Sequence, residues 1–422
     1  MHILRHNSCR GAQGAPAQNG TIPYTGAEIR PDLAGKVKKT DMNKPLRVLF
    51  TCGGTAGHIN PAVALAGMFQ ERDGAEILFV GADGGMEESL VPKSGYDIRT
   101  VTISSFYRSV SLKSLKHNLT TVKNLLISPG QAKKILKDFQ PDLVVGTGGY
   151  ASFPVVNQAA KMGIPTAVHE SNAFPGLTTQ RLSKVVDVVM VGFEESRQHY
   201  HDQSRVVVTG TPVREDFFAR DRKQARLELG FGDEKRVVVT TWGSLGAQVM
   251  NDYMVDFVVR ECQAGTPFHH IYGVGTRYYQ RVLDGIRDRG INLEEYPDVD
   301  IREYIYDMPV VMSAADVVMS RAGASTIAEI AAIAKPSILV PSPNVTANHQ
   351  EKNARVLSDQ GGAVLMLESE CSGKKLYAQV VTMLDNAASL DQMRMSLKRL
   401  SVGNANERIY ETLKGLLREP RI

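Results

Sequence analysis

The stretch Arg47-Val-Leu-Phe-Thr-Cys-Gly-Gly-Thr-Ala-Gly-His58 decides how the rest of the chain is read. Its first half is a short continuous apolar run, the pattern of a strand buried on both faces. Its second half is a glycine-rich turn, and the residues beyond it predict a helix from about Pro61. Glycines let backbone approach a ligand closely, and a helix N-terminus offers unpaired N–H groups in a positive field. Phosphate is the natural guest of such a turn. No Lys-Ser or Lys-Thr follows, so this is not a Walker loop. A tight strand-to-helix turn without a ligand fits the same residues.

The unit recurs after this stretch. Glu76–Val80, Asp142–Val145, Pro165–Val168 and Asp187–Val191 are further short apolar runs separated by helical stretches. They predict a parallel sheet covered on both faces. The rhythm pauses at Gly210-Thr-Pro-Val-Arg214, a hinge by position. It restarts with Arg236–Trp242, His269–Tyr272, Asp316–Met319, Ser337–Val340 and Ala363–Met366, and a helical segment from Asn404 to Leu417 closes the chain. The fold class is α/β: two Rossmann-like, doubly wound parallel-sheet domains, with a ligand cleft between the strand carboxyl ends of both. The divisions fall at 45–210 for the first domain and 211–403 for the second. Residues 404–422 form a helix that can return to the first domain. Residues 1–44 are rich in Gly, Ala, Gln, Asn and Lys without periodicity and read as a disordered extension. Met42 is an alternative start, and a regulatory or targeting tail is the other reading.

Composition narrows the function classes. The 422 residues, 43% apolar and 22% charged, suit a globular protein of two domains. Cys9, Cys52, Cys262 and Cys371 are scattered without a C-x-x-C pair. That argues against a disulfide framework or zinc cluster and fits a reducing cytoplasm. A net charge of +4 is too small to indicate nucleic acid and suits an anionic membrane surface or a phosphorylated substrate. No apolar run approaches the roughly 18 residues a membrane span needs. Met1–Arg10 lacks an apolar signal core.

Three more turns carry chemistry. Gly146-Thr-Gly-Gly-Tyr-Ala151 matches G-x-G-x-x-A, but it lies mid-domain with Pro154 close behind, which disfavours a dinucleotide site. Gly243-Ser-Leu-Gly-Ala247 follows the first strand of the second half. Arg321-Ala-Gly-Ala-Ser-Thr-Ile-Ala-Glu329 puts small residues in a first helical turn and a carboxylate one turn in. Glu329 is there placed to accept both hydroxyls of a ribose while the helix N-terminus holds a diphosphate. Capping its own helix or pairing with a surface lysine fits that spacing as well. The single D-x-D, Asp298-Val-Asp300, precedes a strand and reads as a solvated turn rather than a metal pair. Between Ser109 and Leu136, Leu112, Leu115, Leu119 and Leu126 at helical spacing sit beside Lys116 and Lys123. Such a helix suits an anionic lipid interface, although spacing alone favours an ordinary core-facing helix with solvated lysines.

Taken in order, Gly53–His58, Gly148-Gly-Tyr150, His169-Glu-Ser-Asn172, Gly210–Arg214, Gly243–Gly246, Ser320-Arg-Ala-Gly323 with Glu329, and Asn348-His-Gln-Glu-Lys-Asn-Ala354 run from about Lys44 to the C-terminus. Together they resemble the MurG family in its Gram-positive form, the UDP-N-acetylglucosamine transferases that make lipid II. The resemblance implies the GT-B fold and an inverting transfer of N-acetylglucosamine from UDP to lipid I, the undecaprenyl-linked muramoyl pentapeptide. It implies UDP-N-acetylglucosamine as co-substrate with no further cofactor and no metal, and no nucleic acid. It also implies peripheral attachment to the cytoplasmic face of the cell membrane, with cell-wall assembly proteins as candidate partners. It raises the membrane reading of Leu112, Leu115, Leu119, Leu126, Lys116 and Lys123.

Carried over residue by residue, the donor would meet Thr55, Ala56, Gly57, Asn172, Arg214, Ser244, Ile305, Ala324, Ser325, Thr326, Glu329 and Gln350. Arg214 and Ser244 would contact the diphosphate, Ile305 the uracil, Glu329 the ribose, and Gln350 with Asn172 the sugar hydroxyls. The acceptor would meet Gly53, Gly54, Gly148, Gly149 and Tyr150. His58 is the candidate base, or a contact to the acceptor phosphate. The chain departs from relatives at Leu245, Tyr306 and His349, which blurs which side chain reads the sugar. A transferase of the same fold acting on diacylglycerol would differ at Gly148–Tyr150 and His169–Asn172. A non-catalytic UDP-sugar sensor would bind the donor and release no UDP. An epimerase of this fold is disfavoured by the His169–Asn172 and Asn348–Ala354 motifs.

Overall fold

The computed structural model describes residues 44–104, 112–243 and 246–418. Its first sheet contains β1 (Arg47–Thr51), β2 (Glu76–Ala82), β3 (Asp97–Val101), β4 (Leu143–Gly146), β5 (Thr166–Glu170), β6 (Val188–Val191) and β7 (Val206–Val208). They lie in the order β3-β2-β1-β4-β5-β6-β7, and every pairing is parallel. The second sheet contains β8 (Arg236–Thr241), β9 (Phe268–Gly273), β10 (Val299–Arg302), β11 (Val317–Ser320), β12 (Ser337–Leu339) and β13 (Ala363–Leu365). Its order is β10-β9-β8-β11-β12-β13, again parallel throughout.

The central strands are those whose apolar runs stand out in the sequence. Three strands do not stand out, and all three lie at a sheet edge: β3, β7 and β10. An edge strand with one wet side needs no continuous apolar run. In Asp97-Ile-Arg-Thr-Val101 exposed and covered positions alternate, and β10 carries Asp300 and Arg302. The D-x-D motif therefore does not precede the strand: Val299 and Asp300 belong to it.

Each sheet is filled on both faces. On the first, Leu49, Val80, Val144 and Val168 pack to one side. Val48, Phe50, Phe79, Val145 and Met190 pack to the other. Ile409, Tyr410 and Leu413 of the closing helix, Ala405–Arg418, join this second cluster. The helix is fastened by the Tyr410 hydroxyl and the Lys414 amine, which donate to Asp73 at 3.0 and 2.6 Å. The helix Ala405–Arg418 thus returns to the sheet that contains β1.

The helix after β1 spans Ala56–Asp73, starting five residues before the expected Pro61. The amides of His58 and Ile59 both donate to the Thr55 carbonyl, at 3.0 and 3.3 Å, so the first turn is closed ahead of the proline. Pro61 removes only the N–H that would have reached back toward Gly57. The basic segment forms one helix, Leu112–Phe139. Ala132, Ile135 and Leu136 near its end enter the first core, whereas Leu126 is 79% exposed and Ile127 41%. The side chains of Leu112, Leu115, Lys116, Leu119 and Lys123 lie outside the described residues. Among the described residues no helix is long and apolar enough to cross a membrane.

Candidate active site

In a doubly wound sheet the crevice opens at the carboxyl ends of the two neighbouring strands where the strand order reverses. In the first sheet these are β1 and β4, paired Thr51 to Gly146. The turns that leave them, Gly53–His58 and Thr147–Ala151, interlock. A Cβ on Gly149 would lie 2.2 Å from the Gly53 carbonyl oxygen, and one on Gly148 would lie 2.6 Å from His58 Nδ1. Both residues have positive φ, so only glycine brings the two turns this close. The Ser152 hydroxyl donates toward the carbonyls of Thr51 and Gly148 at 2.9 and 2.7 Å, stitching the strand ends together. The Tyr150 ring lies against Gly54, within 3.5 Å of where a Cβ would stand. Gly53, Gly54, Gly148, Gly149, Tyr150 and His58 are thereby brought to one crevice. Thr55, Ala56 and Gly57 belong to the same turn, on the first sheet, and do not line the cavity of the second.

His58 is held from two sides. Its carbonyl accepts the Thr147 hydroxyl at 2.6 Å, and its Nδ1 stands 3.1 Å from the Thr147 carbonyl. A carbonyl only accepts, so Nδ1 carries the hydrogen and the lone pair of the neutral ring sits on Nε2. Burial lowers the imidazole below its ordinary range. Glu170 and the Thr147 carbonyl pull it back up, and the nearby His349 ring lowers it further.

In the second sheet the reversal lies between β8 and β11, paired Thr241 to Ser320. Here a cavity of about 280 Å³ opens. Its walls include Gly243, Ile305, Gly323, Thr326, Glu329 and Gln350. Thr326 and Glu329 come from the helix Ala324–Ala332, whose N-terminus follows β11 directly, so first-turn amides face the crevice. Ala324 and Ser325 form that first turn, and the Ser325 hydroxyl is buried without a partner among the described residues. The Gln350 carbonyl oxygen accepts the Ser342 amide at 2.8 Å, which leaves its NH₂ for a ligand. Glu329 is half-buried, and desolvation pushes its carboxyl up to about 7, with Arg214 opposing and Asp216 adding. Among the described residues Glu329 has no ion pair; Arg214 itself pairs with Asp216 at 3.5 Å. Ser244 lies outside the described residues.

Asn172 is placed differently from the rest of the donor set. Its amide group donates to Glu170 at 2.9 Å, and its carbonyl oxygen accepts from Asn353 at 3.2 Å. It does not line the cavity. Asn353, which the motif contains but the sequence reading assigns no role, is wholly buried between the two halves. Its carbonyl oxygen accepts the Ala173 amide at 2.9 Å, and its NH₂ also donates to the Ala322 carbonyl at 3.2 Å. One residue earlier, the Lys352 ammonium stands 3.5 Å from the centre of the Phe174 ring. This clasp carries the helix His349–Ser358 to the first sheet and brings His349 within electrostatic reach of His58. His169 is wholly buried, its Nε2 2.9 Å from the Gly210 carbonyl, so it ties β5 to the hinge. In the D-x-D pair, Asp298 is taken up by Lys235 and His269, and Asp300 by Arg302.

Comparison with known proteins agrees with this geometry. Residues 48–191 match the glycosyltransferase family 28 N-terminal domain, and residues 237–409 match its C-terminal domain. The chain is 42% identical over 374 residues to the UDP-N-acetylglucosamine–N-acetylmuramyl-(pentapeptide) pyrophosphoryl-undecaprenol N-acetylglucosamine transferase of Acetivibrio thermocellus. That match covers 88% of this chain and 99% of the relative. It is 38% identical to a Bacillus cereus protein of the same name, over 89% of this chain and all of the relative. Among solved structures, MurG of Acinetobacter baumannii superposes with a TM-score of 0.69 at 25% identity, covering 88% of this chain and all of that one. The UDP-GlcNAc 2-epimerase of Neisseria meningitidis, at 17% identity and a TM-score of 0.57, shares the fold alone. Two sheets, each with its crevice at the reversal of strand order, and family matches over both halves establish that the chain belongs to glycosyltransferase family 28.

Proposed function

We propose that the protein transfers N-acetylglucosamine from UDP-N-acetylglucosamine to the muramoyl sugar of lipid I, yielding lipid II. One observation carries this reading: the clasp at Asn353 brings an imidazole with a free Nε2 on one sheet to a nucleotide-sized cavity on the other.

The chemistry is a single inverting displacement. The donor lies along the cavity of the second sheet, uracil against Ile305 and ribose on Glu329. The diphosphate sits at the helix mouth Ala324–Thr326, with Arg214 beside it. That N-terminus and the guanidinium stabilise the charge that develops on the leaving UDP, so the chain itself supplies the electrostatic help. The Gln350 NH₂ reaches a sugar hydroxyl. The acceptor diphosphate lies on the turn Gly53–Gly57, flanked by Gly148, Gly149 and Tyr150. His58 Nε2 takes the proton from the attacking hydroxyl, a role that a lowered imidazole pKa suits because the ring is neutral near pH 7. The exposed Leu126 and Ile127 of the helix Leu112–Phe139 meet the cytoplasmic face of an anionic membrane, where a lipid-linked acceptor is held.

The test is incubation with UDP-N-acetylglucosamine and a short-chain analogue of lipid I, reading UDP release and product mass. The expected result is acceptor-dependent UDP and a product heavier by one N-acetylhexosamine. Donor binding without transfer would refute the reading, leaving a diacylglycerol glycosyltransferase or a UDP-sugar sensor.

A further inference from the structure

Behind the first glycine-rich turn stands a carboxylate that no step above employs. Glu87, in the first turn of the helix Glu87–Lys93, is wholly buried. Its Oε1 accepts the Ala82 amide at 2.8 Å, and its Oε2 accepts the Gly54 amide at 3.2 Å. Three glycines clear the space it fills. A Cβ on Gly81 would come within 2.3 Å of its Cγ, one on Gly85 within 2.5 Å of the carboxyl, and one on Gly53 within 2.8 Å of Oε1. A charged side chain so buried is rare unless something requires it there. Here it joins the end of β2 to the turn after β1.

We propose that Glu87 is a positioning residue for the transfer: its carboxylate pins Gly54 and so sets the shape in which the Gly53–His58 turn receives the acceptor diphosphate. The proposal rests on the assignment of that turn to the acceptor. Gly54 has φ +87°, a conformation that costs an unfastened turn nothing to leave. With its amide given to Glu87, the helical first-turn amides at Ala56 and Gly57, which have no intrahelical acceptor, remain for phosphate. Burial lowers the His58 imidazole and raises the Tyr150 hydroxyl; the same carboxylate opposes the first shift and adds to the second, so its field reaches both walls of the crevice.

Two variants test this. Glu87→Gln keeps the shape but sets an NH₂ against one of the two amides. Gly85→Ala keeps the charge but drives a methyl into the carboxyl group, so it carries the test if the first variant fails to fold. In both, kcat/KM for the acceptor should fall about tenfold or more, as a lost hydrogen bond to a charged group implies, while KM for the donor stays within about twofold. Hydrogen exchange of the peptide covering residues 50–58 should speed up. Wild-type exchange in that peptide, or a fall in melting temperature with both kinetic constants for the acceptor unchanged, would overturn the proposal. A wild-type protein that transfers nothing would refute the lipid I assignment instead, and the exchange experiment would still decide whether Glu87 holds the turn.

Discussion

The Glu329 carboxyl couples donor binding to pH in a way that can be worked out in advance. A carboxyl accepts two ribose hydroxyls only when ionised, and burial raises this one to about 7. About one-eleventh of the protein is then competent at pH 6 and about ten-elevenths at pH 8, so the apparent Kd should tighten about tenfold across that interval. UDP-N-acetylglucosamine is a diphosphate diester and does not titrate in this range, so the dependence belongs to the protein. Glu329→Gln should flatten the curve and weaken binding at pH 8 by about tenfold or more.

The same residue has the opposite effect on the empty protein. Its folded-state pKa lies above the ordinary value of 4.5. Between about 4.5 and 7 the folded chain therefore holds a proton that the unfolded chain has released, and stability declines as pH rises through that window. Above pH 7 the whole cost remains. Glu329→Gln should thus stabilise the ligand-free protein at pH 8, by roughly 1–2 kcal/mol once solvent screening of a half-buried group is allowed for. Calorimetric titration from pH 6 to 8, beside thermal melts without ligand, reads both effects. Donor affinity independent of pH, or a variant less stable than wild type at pH 8, would refute the reasoning.

Three further outcomes follow from the geometry. His58→Ala should lower kcat by about 100-fold or more while donor Kd, measured by titration, changes little. At saturating donor the acid limb of the wild-type kcat should fall below pH 6.5, because the base must be neutral and burial lowers its pKa. Asn353→Ala deletes two hydrogen bonds between the halves, to Asn172 and Ala173, and one to Ala322 within the second half, and should lower the melting temperature by a few degrees. Small-angle scattering should show a larger radius of gyration for it, and an unchanged radius would mean that the clasp does not hold the halves. Leu126→Asp places a charge at a 79% exposed position, so it should spare activity on a soluble acceptor and reduce co-sedimentation with anionic liposomes. Undiminished co-sedimentation would remove this helix from the membrane face.

What the sequence discloses follows from how each feature is encoded. Strands buried on both faces must be apolar throughout, so β1, β2, β4, β8 and β11 stand out as continuous runs. Edge strands such as β3 and β10 answer to one face only, and their charges hide them. Glycine turns are visible because the backbone they need excludes other residues. Glu87 and Asn353 are invisible for the converse reason. Nothing local marks a carboxylate that bonds an amide 33 residues earlier, or an amide group that bonds one 181 residues away. The surroundings of Asn172 show the same limit. Its hydrogen bond to Glu170 is local, two residues back, but the one to Asn353 spans 181 residues and is a tertiary fact.

The arrangement also explains why so much of the function is legible from turns alone. A doubly wound sheet has one place where neighbouring strands send their helices to opposite faces, and only the two turns bounding that place open on a crevice. Each half of this chain contains many strand-to-helix turns. The four singled out by glycine and small residues are those after β1, β4, β8 and β11, which bound the two crevices. The proposed division, acceptor on one sheet and donor on the other, should make most variants affect one substrate only. Asn353, bonded to both halves at once, is where that separation should fail: cutting it should alter both Michaelis constants together, because neither crevice is complete while the other is away.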